Sequence, residues 1–104
     1  MELTTDRQEE KKLSIIISIL VKTLDPKCIY LFGSRATDNY NEYSDFDIAV
    51  EGSKGSFRKM RKVKQLLDEK LGIYSCDLIK LEKSGADFKA LVQKQGKVIY
   101  EERD

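Results

Sequence analysis

Cys28-Ile29-Tyr30-Leu31-Phe32-Gly33-Ser34-Arg35, followed by Ser44-Asp45-Phe46-Asp47-Ile48-Ala49-Val50, is the part of the chain on which the fold turns. The first five residues are aromatic, β-branched or otherwise apolar, and Gly33 ends them, which reads as a short buried strand. Between Ser34 and Ser44 the residues are polar and turn-forming, Asp38-Asn39 and Asn41 among them. Phe46 to Val50 then resumes a strand pattern that Gly52-Ser53 ends. Strand periodicity puts Asp45 and Asp47 on one face and turns Phe46 the other way, into the core.

Working outward, residues 6 to 24 carry Leu13, Ile16, Ile17, Leu20, Val21 and Leu24 at helical three-and-four spacing, with Thr5 and Gln8 as a capping box. Asp25-Pro26 stops this helix. A second helix over residues 55 to 71 places Phe57, Met60, Val63, Leu67 and Leu71 on one side and stops at Gly72. Ile73 to Leu81 reads as a third strand. Ser84 with Asp87 caps a third helix that carries Phe88, Leu91 and Val92, and Gly96 ends it before the strand Val98-Ile99-Tyr100. The expected architecture is a mixed α+β fold in the order α-β-β-α-β-α-β: a small mixed sheet packed with about three helices. At 104 residues and 12.0 kDa, one domain over residues 1–104 is expected.

Composition narrows the chemistry. Nineteen Lys and Arg against 18 Asp and Glu leave a formal +1, so any attraction to an anion is local, and direct nucleic-acid binding is not expected. No apolar run approaches the roughly 18 to 20 residues of a membrane span, and the polar, acidic N-terminus is unlike a signal peptide, which together suggest a cytoplasmic protein. Cys28 and Cys76 both lie in apolar stretches, where a reduced thiol acts as a small hydrophobe. The chain has no histidine. That removes Ser-His-Asp and Cys-His nucleophiles, His-ligated zinc and imidazole acid–base catalysis. Chemistry must rest on carboxylates and bound ions, and oxygen-only ligation favours Mg²⁺ or Mn²⁺.

A glycine at a strand end lets backbone amides approach phosphate oxygens without a Cβ in the way. Gly33 offers that access. Ser34 adds a hydroxyl and an amide, and Arg35 either adds charge or braces the acidic loop. Asp45 and Asp47 held close together repel unless a cation sits between them. Two aspartates rarely hold two metals alone, so a third carboxylate is expected on a neighbouring strand. Asp77, within the apolar run Cys76-Asp77-Leu78-Ile79, is the candidate, as a charge there needs a partner or a role. The basic cluster Arg58-Lys59-Met60-Arg61-Lys62-Val63-Lys64 reads as a solvated helix face. Tyr40 and Tyr43 lie in the loop near the proposed site.

Phe32-Gly33-Ser34-Arg35-Ala36, Ser44-Asp45-Phe46-Asp47-Ile48-Ala49-Val50, Asp77-Leu78 and the closing Gly96-Lys97-Val98-Ile99-Tyr100 together resemble a minimal nucleotidyltransferase of the DNA polymerase β superfamily, the type often encoded beside a HEPN-domain toxin. The resemblance spans most of the chain. It implies that Asp45, Asp47 and Asp77 are catalytic and hold Mg²⁺, two ions in all, and that Gly33, Ser34 and Arg35 bind the nucleotide. It further implies a protein adenylyltransferase that moves AMP from ATP to a hydroxyl, such as a tyrosine of a HEPN toxin, and so serves as the antitoxin. The alternative is a non-catalytic antitoxin that neutralises its partner by occlusion. Transfer to a small molecule such as an aminoglycoside is disfavoured, since so short a chain offers little second wall for that pocket. One departure is that Thr37 and Asp38 stand where many relatives have a basic residue and a glycine.

Overall fold

Leu13, Ile16, Ile17, Leu20, Val21 and Leu24 lie on the inner side of helix α1 (Thr4–Leu24), and Ile16, Leu20 and Leu24 are fully buried. The computed structural model describes residues 4–33, 46–72 and 75–102, with side chains of the first helix from Glu10 onward. Helix α1 begins at Thr4, so Thr5 is already helical and does not cap it. Its end falls as expected. Pro26 disfavours right-handed helical geometry at the residue before it, and Asp25 adopts φ 46°.

Strand β1 (Cys28–Phe32) pairs antiparallel with β2 (Phe46–Glu51), with Ile29 opposite Val50 and Leu31 opposite Ile48. Helix α2 (Phe57–Leu71) starts two residues later than the periodicity suggests, because the Ser56 hydroxyl accepts the Lys59 N–H at 3.3 Å and fixes the first turn. It stops at Gly72, whose φ of 69° suits glycine. Strand β3 (Cys76–Lys80) then returns parallel to β2, the pairing that a helical crossover makes available. The sequence places Leu81 at the end of that strand, but it instead opens a short 3-10 turn over Leu81–Lys83. The Ser84 hydroxyl donates to the Leu81 carbonyl at 2.7 Å and closes this turn, leaving Gly85 rather than Ser84 at the N-cap of helix α3 (Ala86–Gln95). A short polar side chain has several backbone partners within reach, and here the preceding turn takes it.

Helix α3 ends at Gly96, whose N–H donates to the Val92 carbonyl at 2.7 Å. A Cβ built on Gly96 would stand 2.6 Å from that same oxygen and 3.2 Å from the Leu31 carbonyl, so only glycine lets the chain turn so tightly into β4 (Lys97–Glu101). Strand β4 pairs antiparallel with β1. Among the described residues the sheet order is β3-β2-β1-β4.

Side-chain alternation divides the apolar residues between the two sheet faces. On one face Ile29, Leu31, Phe46, Ile48, Val50 and Cys76 pack under α1 and α2, against Ile16, Leu20, Leu24, Val63, Leu67 and Leu71. Each such buried aliphatic or aromatic side chain contributes about 1.5–3 kcal/mol relative to exposure. On the other face Cys28, Tyr30 and Ala49 meet Leu81 and Val92, and Phe32 packs edge-on against Phe88 of α3 with ring centroids 5.5 Å apart. This second face is the more thinly covered, and Asp47 lies on it.

Candidate active site

The C-terminal end of β1 and the N-terminal ends of β2 and β3 meet at one rim of the sheet. There Phe32 is the register partner of Asp47 on β2, and Asp47 is in turn the register partner of Asp77 on β3. Neighbouring strands lie about 4.8 Å apart and register partners project from the same face, so the two carboxylates stand side by side. Such a pair repels itself unless a cation or a proton intervenes.

Gly33 follows Phe32 with φ 74°. A Cβ built there would overlap the Asp47 carboxylate oxygen Oδ2 and lie 3.0 Å from its Cγ. The glycine therefore leaves room for the Asp47 carboxylate. The structure thus brings together Gly33, Asp47 and Asp77. Ser34, Arg35 and Asp45 lie outside the described residues, as do Thr37, Asp38, Tyr40 and Tyr43. Among the described residues no three His, Cys, Asp or Glu side chains cluster as a metal site.

Asp77 is corrected in one respect. Its position beside Asp47 is as expected, but β3 is an edge strand among the described residues and Asp77 is exposed, so it is not a charge buried in the sheet. Its neighbour Cys76 is fully buried, as alternation requires. Within the apolar run, Cys76 and Leu78 pack on the α1/α2 side of the sheet and Ile79 on the other, and neither contact reports that β3 is an edge.

A cavity of about 1130 Å³ is lined by Phe32, Asp47 and Asp77 together with Arg58, Arg61 and Lys62 of α2. The basic cluster is exposed, as a solvated face would be, yet it forms a wall of the same hollow as the aspartates. Phe57 was expected on the inward side of the helix and is instead 68% exposed at this groove. As the first residue of α2, just after its cap, it precedes the stretch of helix that rests on the sheet. The helical spacing of the cluster was legible, but what that face looks onto depends on where β3 lies.

Thiol chemistry does not compete with the carboxylates. Burial, above all, pushes the Cys76 thiol up to about 12, and burial also raises Cys28, where the carboxylates of Glu51 and Glu101 add to the effect. Both cysteines are free and buried. Among the described residues no helix is long and apolar enough to cross a membrane.

Comparison with known proteins agrees with this geometry. A family model described as polymerase beta, nucleotidyltransferase matches residues 14–104. A search of curated proteins returned no match. Among solved structures, the MntA–HepT toxin–antitoxin is similar at 25% identity and a TM-score of 0.71, over 89% of this chain and 73% of that one. A toxin–antitoxin structure with AMP-PNP is similar at 26% identity and a TM-score of 0.70, over 90% and 74%. The complex of a tri-AMPylated Shewanella oneidensis HEPN toxin with its MNT antitoxin is similar at 25% identity and a TM-score of 0.71, over 89% and 72%. With a strand-end glycine making room for one of two carboxylates in register on adjacent strands, and a family match over residues 14–104, this chain belongs to the polymerase β-type nucleotidyltransferases.

Proposed function

We propose that this chain is the antitoxin of a HEPN toxin and acts by transferring AMP from ATP to a hydroxyl of that toxin, releasing pyrophosphate. The observation that carries the reading is the register pairing of Asp47 with Asp77 beside Gly33, in a chain similar to structures of a toxin–antitoxin with AMP-PNP and of a tri-AMPylated HEPN toxin with its antitoxin.

The residues fit a hard divalent cation. Asp47 and Asp77 offer only oxygen donors, Gly33 keeps space open beside the Asp47 carboxylate, and the chain has no histidine to favour a softer ion. Asp45, Asp47 and Asp77 would hold Mg²⁺, two ions in all. When bound, Mg²⁺ neutralises phosphate charge and polarises the α-phosphorus. The protein's own part is orientation. Gly33 and Ser34 receive the phosphates, with Arg35 adding charge. Asp77, at the exposed edge, accepts the proton of the acceptor hydroxyl as its oxygen bonds to the α-phosphorus and the bond to pyrophosphate breaks. The acceptor reaches Asp77 from the open side of the groove, so a folded partner can present a side chain there.

The test is incubation of the copurified complex with Mg²⁺ and ATP labelled at either the α- or the γ-phosphate, with Asp47→Asn as control. The expected result is label from the α position alone, lost in the variant, with the acceptor identified by a mass gain of AMP. A stable complex that takes no label would replace the reading with inhibition by occlusion.

A further inference from the structure

Among the described residues no strand pairs with the outer edge of β3, and Asp77, Leu78, Ile79 and Lys80 line the same groove as Asp47. The direction of its peptide groups follows from one bond. The Phe46 N–H donates to the Ser75 carbonyl at 2.9 Å, and Phe46 is the register partner of Cys76. In a parallel ladder the residues that flank a register partner turn their N–H and C=O toward the neighbouring strand, and the partner turns its own away. Asp77 and Ile79 therefore bond inward to β2, while Leu78 and Lys80 present both groups outward. Unpaired edges are templates for another strand, and folds commonly blunt them with bulges. The edge strand β4 has a register shift opposite Ile29 and Tyr30, whereas β3 runs in unbroken register from Cys76 to Lys80.

The two sides of that open edge differ in charge. Cys76 and Leu78 face the α1/α2 side of the sheet, and Asp77 and Ile79 alternate to the other. On the α2 side Arg58, Arg61 and Lys62 line the groove and make no hydrogen bond or ion pair among the described residues, whereas Lys64 is tied to Asp68 at 2.9 Å. The first turn of α2 contains no acidic residue. Cations at a helix start oppose its dipole, so helix stability does not account for Arg58 and Arg61. Phe57 stands beside them, 68% exposed.

We propose that the outer edge of β3 pairs with an extended, acidic segment of the acceptor protein, which joins the sheet as an added strand. The proposal deepens the AMP-transfer reading and rests on it only for what the segment delivers. Leu78 and Lys80 supply the backbone hydrogen bonds, and the surfaces on the two sides of the edge select alternate side chains. The segment residue in register with Asp77 projects from the face that carries Asp47 and Asp77, one strand spacing of about 4.8 Å further out. That position holds the acceptor hydroxyl. The residues next to it project to the opposite side, where Arg58, Arg61 and Lys62 receive Asp or Glu and Phe57 meets an apolar side chain. The fold thus recognises its acceptor as a hydroxyl residue in an extended segment with acids at the alternate positions.

Two measurements decide the proposal. In the first, amide hydrogen exchange is read residue by residue in the chain alone and in the copurified complex. The Leu78 and Lys80 amides should exchange freely in the chain alone and at least about tenfold more slowly in the complex, as amides that enter hydrogen bonds do. Asp77 and Ile79, already paired with β2, should change little. Protection of Leu78 and Lys80 in the chain alone, or their failure to gain it in the complex, overturns the added strand. Labelled ATP keeps this result apart from the transfer reading. A complex with both amides protected that takes no label sinks transfer and leaves the pairing, and a labelled complex with both amides unprotected does the reverse.

In the second, the full chain is titrated with a fluorescein-labelled peptide that has a central tyrosine and glutamate at the first and third positions on either side. The groove variant carries Arg58→Gln, Arg61→Gln and Lys62→Gln together. A charge-matched control carries Lys22→Gln, Lys70→Gln and Lys94→Gln, none of which lines the groove. All six side chains are exposed, and circular dichroism confirms that each variant is folded. Wild type and control should bind alike. The groove variant, and a peptide with lysine in place of each glutamate, should lose affinity by at least about tenfold, the scale of several exposed ion pairs together. Methylating the peptide's amides one at a time should weaken binding at every second residue, the period of a strand. No binding by wild type, equal weakening in both triple variants, or methylation effects without that alternation overturns the proposal.

Discussion

The two ends of the sheet both gather carboxylates, but they treat them differently. At the end where β1 begins, Glu51, Cys28 and Glu101 are in register across β2, β1 and β4, and Glu82 comes over from the 3-10 turn. Here Glu51 and Glu82 are occupied by the fold. The Tyr30 hydroxyl donates to Glu51 at 3.1 Å, Lys89 stands 3.8 Å from the same carboxylate, and Glu82 accepts the Gly52 N–H. At the opposite end Asp77 is exposed with no such internal partner among the described residues, and Arg58, Arg61, Lys62 and Lys83 across the groove are equally unengaged. The far end closes on itself, whereas the near end leaves complementary charges for something that arrives from outside. Acidity alone does not mark a site. What marks it is a pair of carboxylates set in register on adjacent strands, with Asp77 of the pair exposed.

The sharpest way to break this contrast is to neutralise one acid at each end. Asp47→Asn should lower AMP transfer by roughly 10²–10³-fold or more, the scale of losing one positioned electrostatic group, with little change in Tm. Glu51→Gln should leave transfer unchanged, and equal losses in the labelled-ATP assay would show that the ends are not functionally distinct.

The thiols sharpen the comparison in a second way. Cys76, next to Asp77, is fully buried and pushed up to about 12 by burial, whereas Cys28 at the far end, also raised by burial, keeps some exposure. As pH climbs above about 9, the unfolded chain gives up the Cys76 proton that the folded chain keeps until about 12. Proton release then favours unfolding, and stability should fall across that window. Denaturation midpoints measured from pH 8 to 11 check the sign. A thiol reagent should label Cys28 before Cys76 as pH rises, and the reverse order would contradict the burial assigned to each.

Gly33→Ala acts at the near end alone. The new methyl meets the Asp47 carboxylate and forces a left-handed backbone at a cost of about 1–2 kcal/mol, so Tm should drop and transfer should fall beyond what the lost stability explains. Tyr30→Phe, at the far end, should be the mildest change. It removes one hydrogen bond to Glu51, worth about 0.5–1.5 kcal/mol, visible in a urea titration and absent from the transfer rate.

Much of this molecule can be read from its residues, and the failures share a cause. Cys28–Phe32 and Gly72 are legible because composition and backbone chirality decide them locally. The neighbourhood of Asp47 and Asp77 is legible because strand alternation and the βαβ order confine where a third carboxylate can come from. The N-caps are not: Ser84 has a competing partner in Leu81, and Thr5 is displaced by a two-residue shift in the helix start. Phe57 is misread, and the groove onto which the solvated basic face looks is missed, for a longer-range reason. Periodicity tells which side chains share a face, while the edge position of β3, which makes that face one wall of a groove, is a property of the assembled sheet.

The register of β2 against β3 makes the backbone a gauge. Asp47 and Asp77 face each other because a ladder of peptide hydrogen bonds sets their strands side by side, and that spacing is the same whatever side chains fill the interior. Core residues such as Ile48, Leu67 or Leu71 can therefore be exchanged for others of similar volume without resetting the distance between the two acids. Slipping β3 by a single residue is another matter, for it would turn Asp77 to the opposite face and put Cys76 or Leu78 beside Asp47. The vulnerable dimension of this catalyst is its alignment, and the segment between Leu71 and Cys76 is where an insertion or deletion would spoil it.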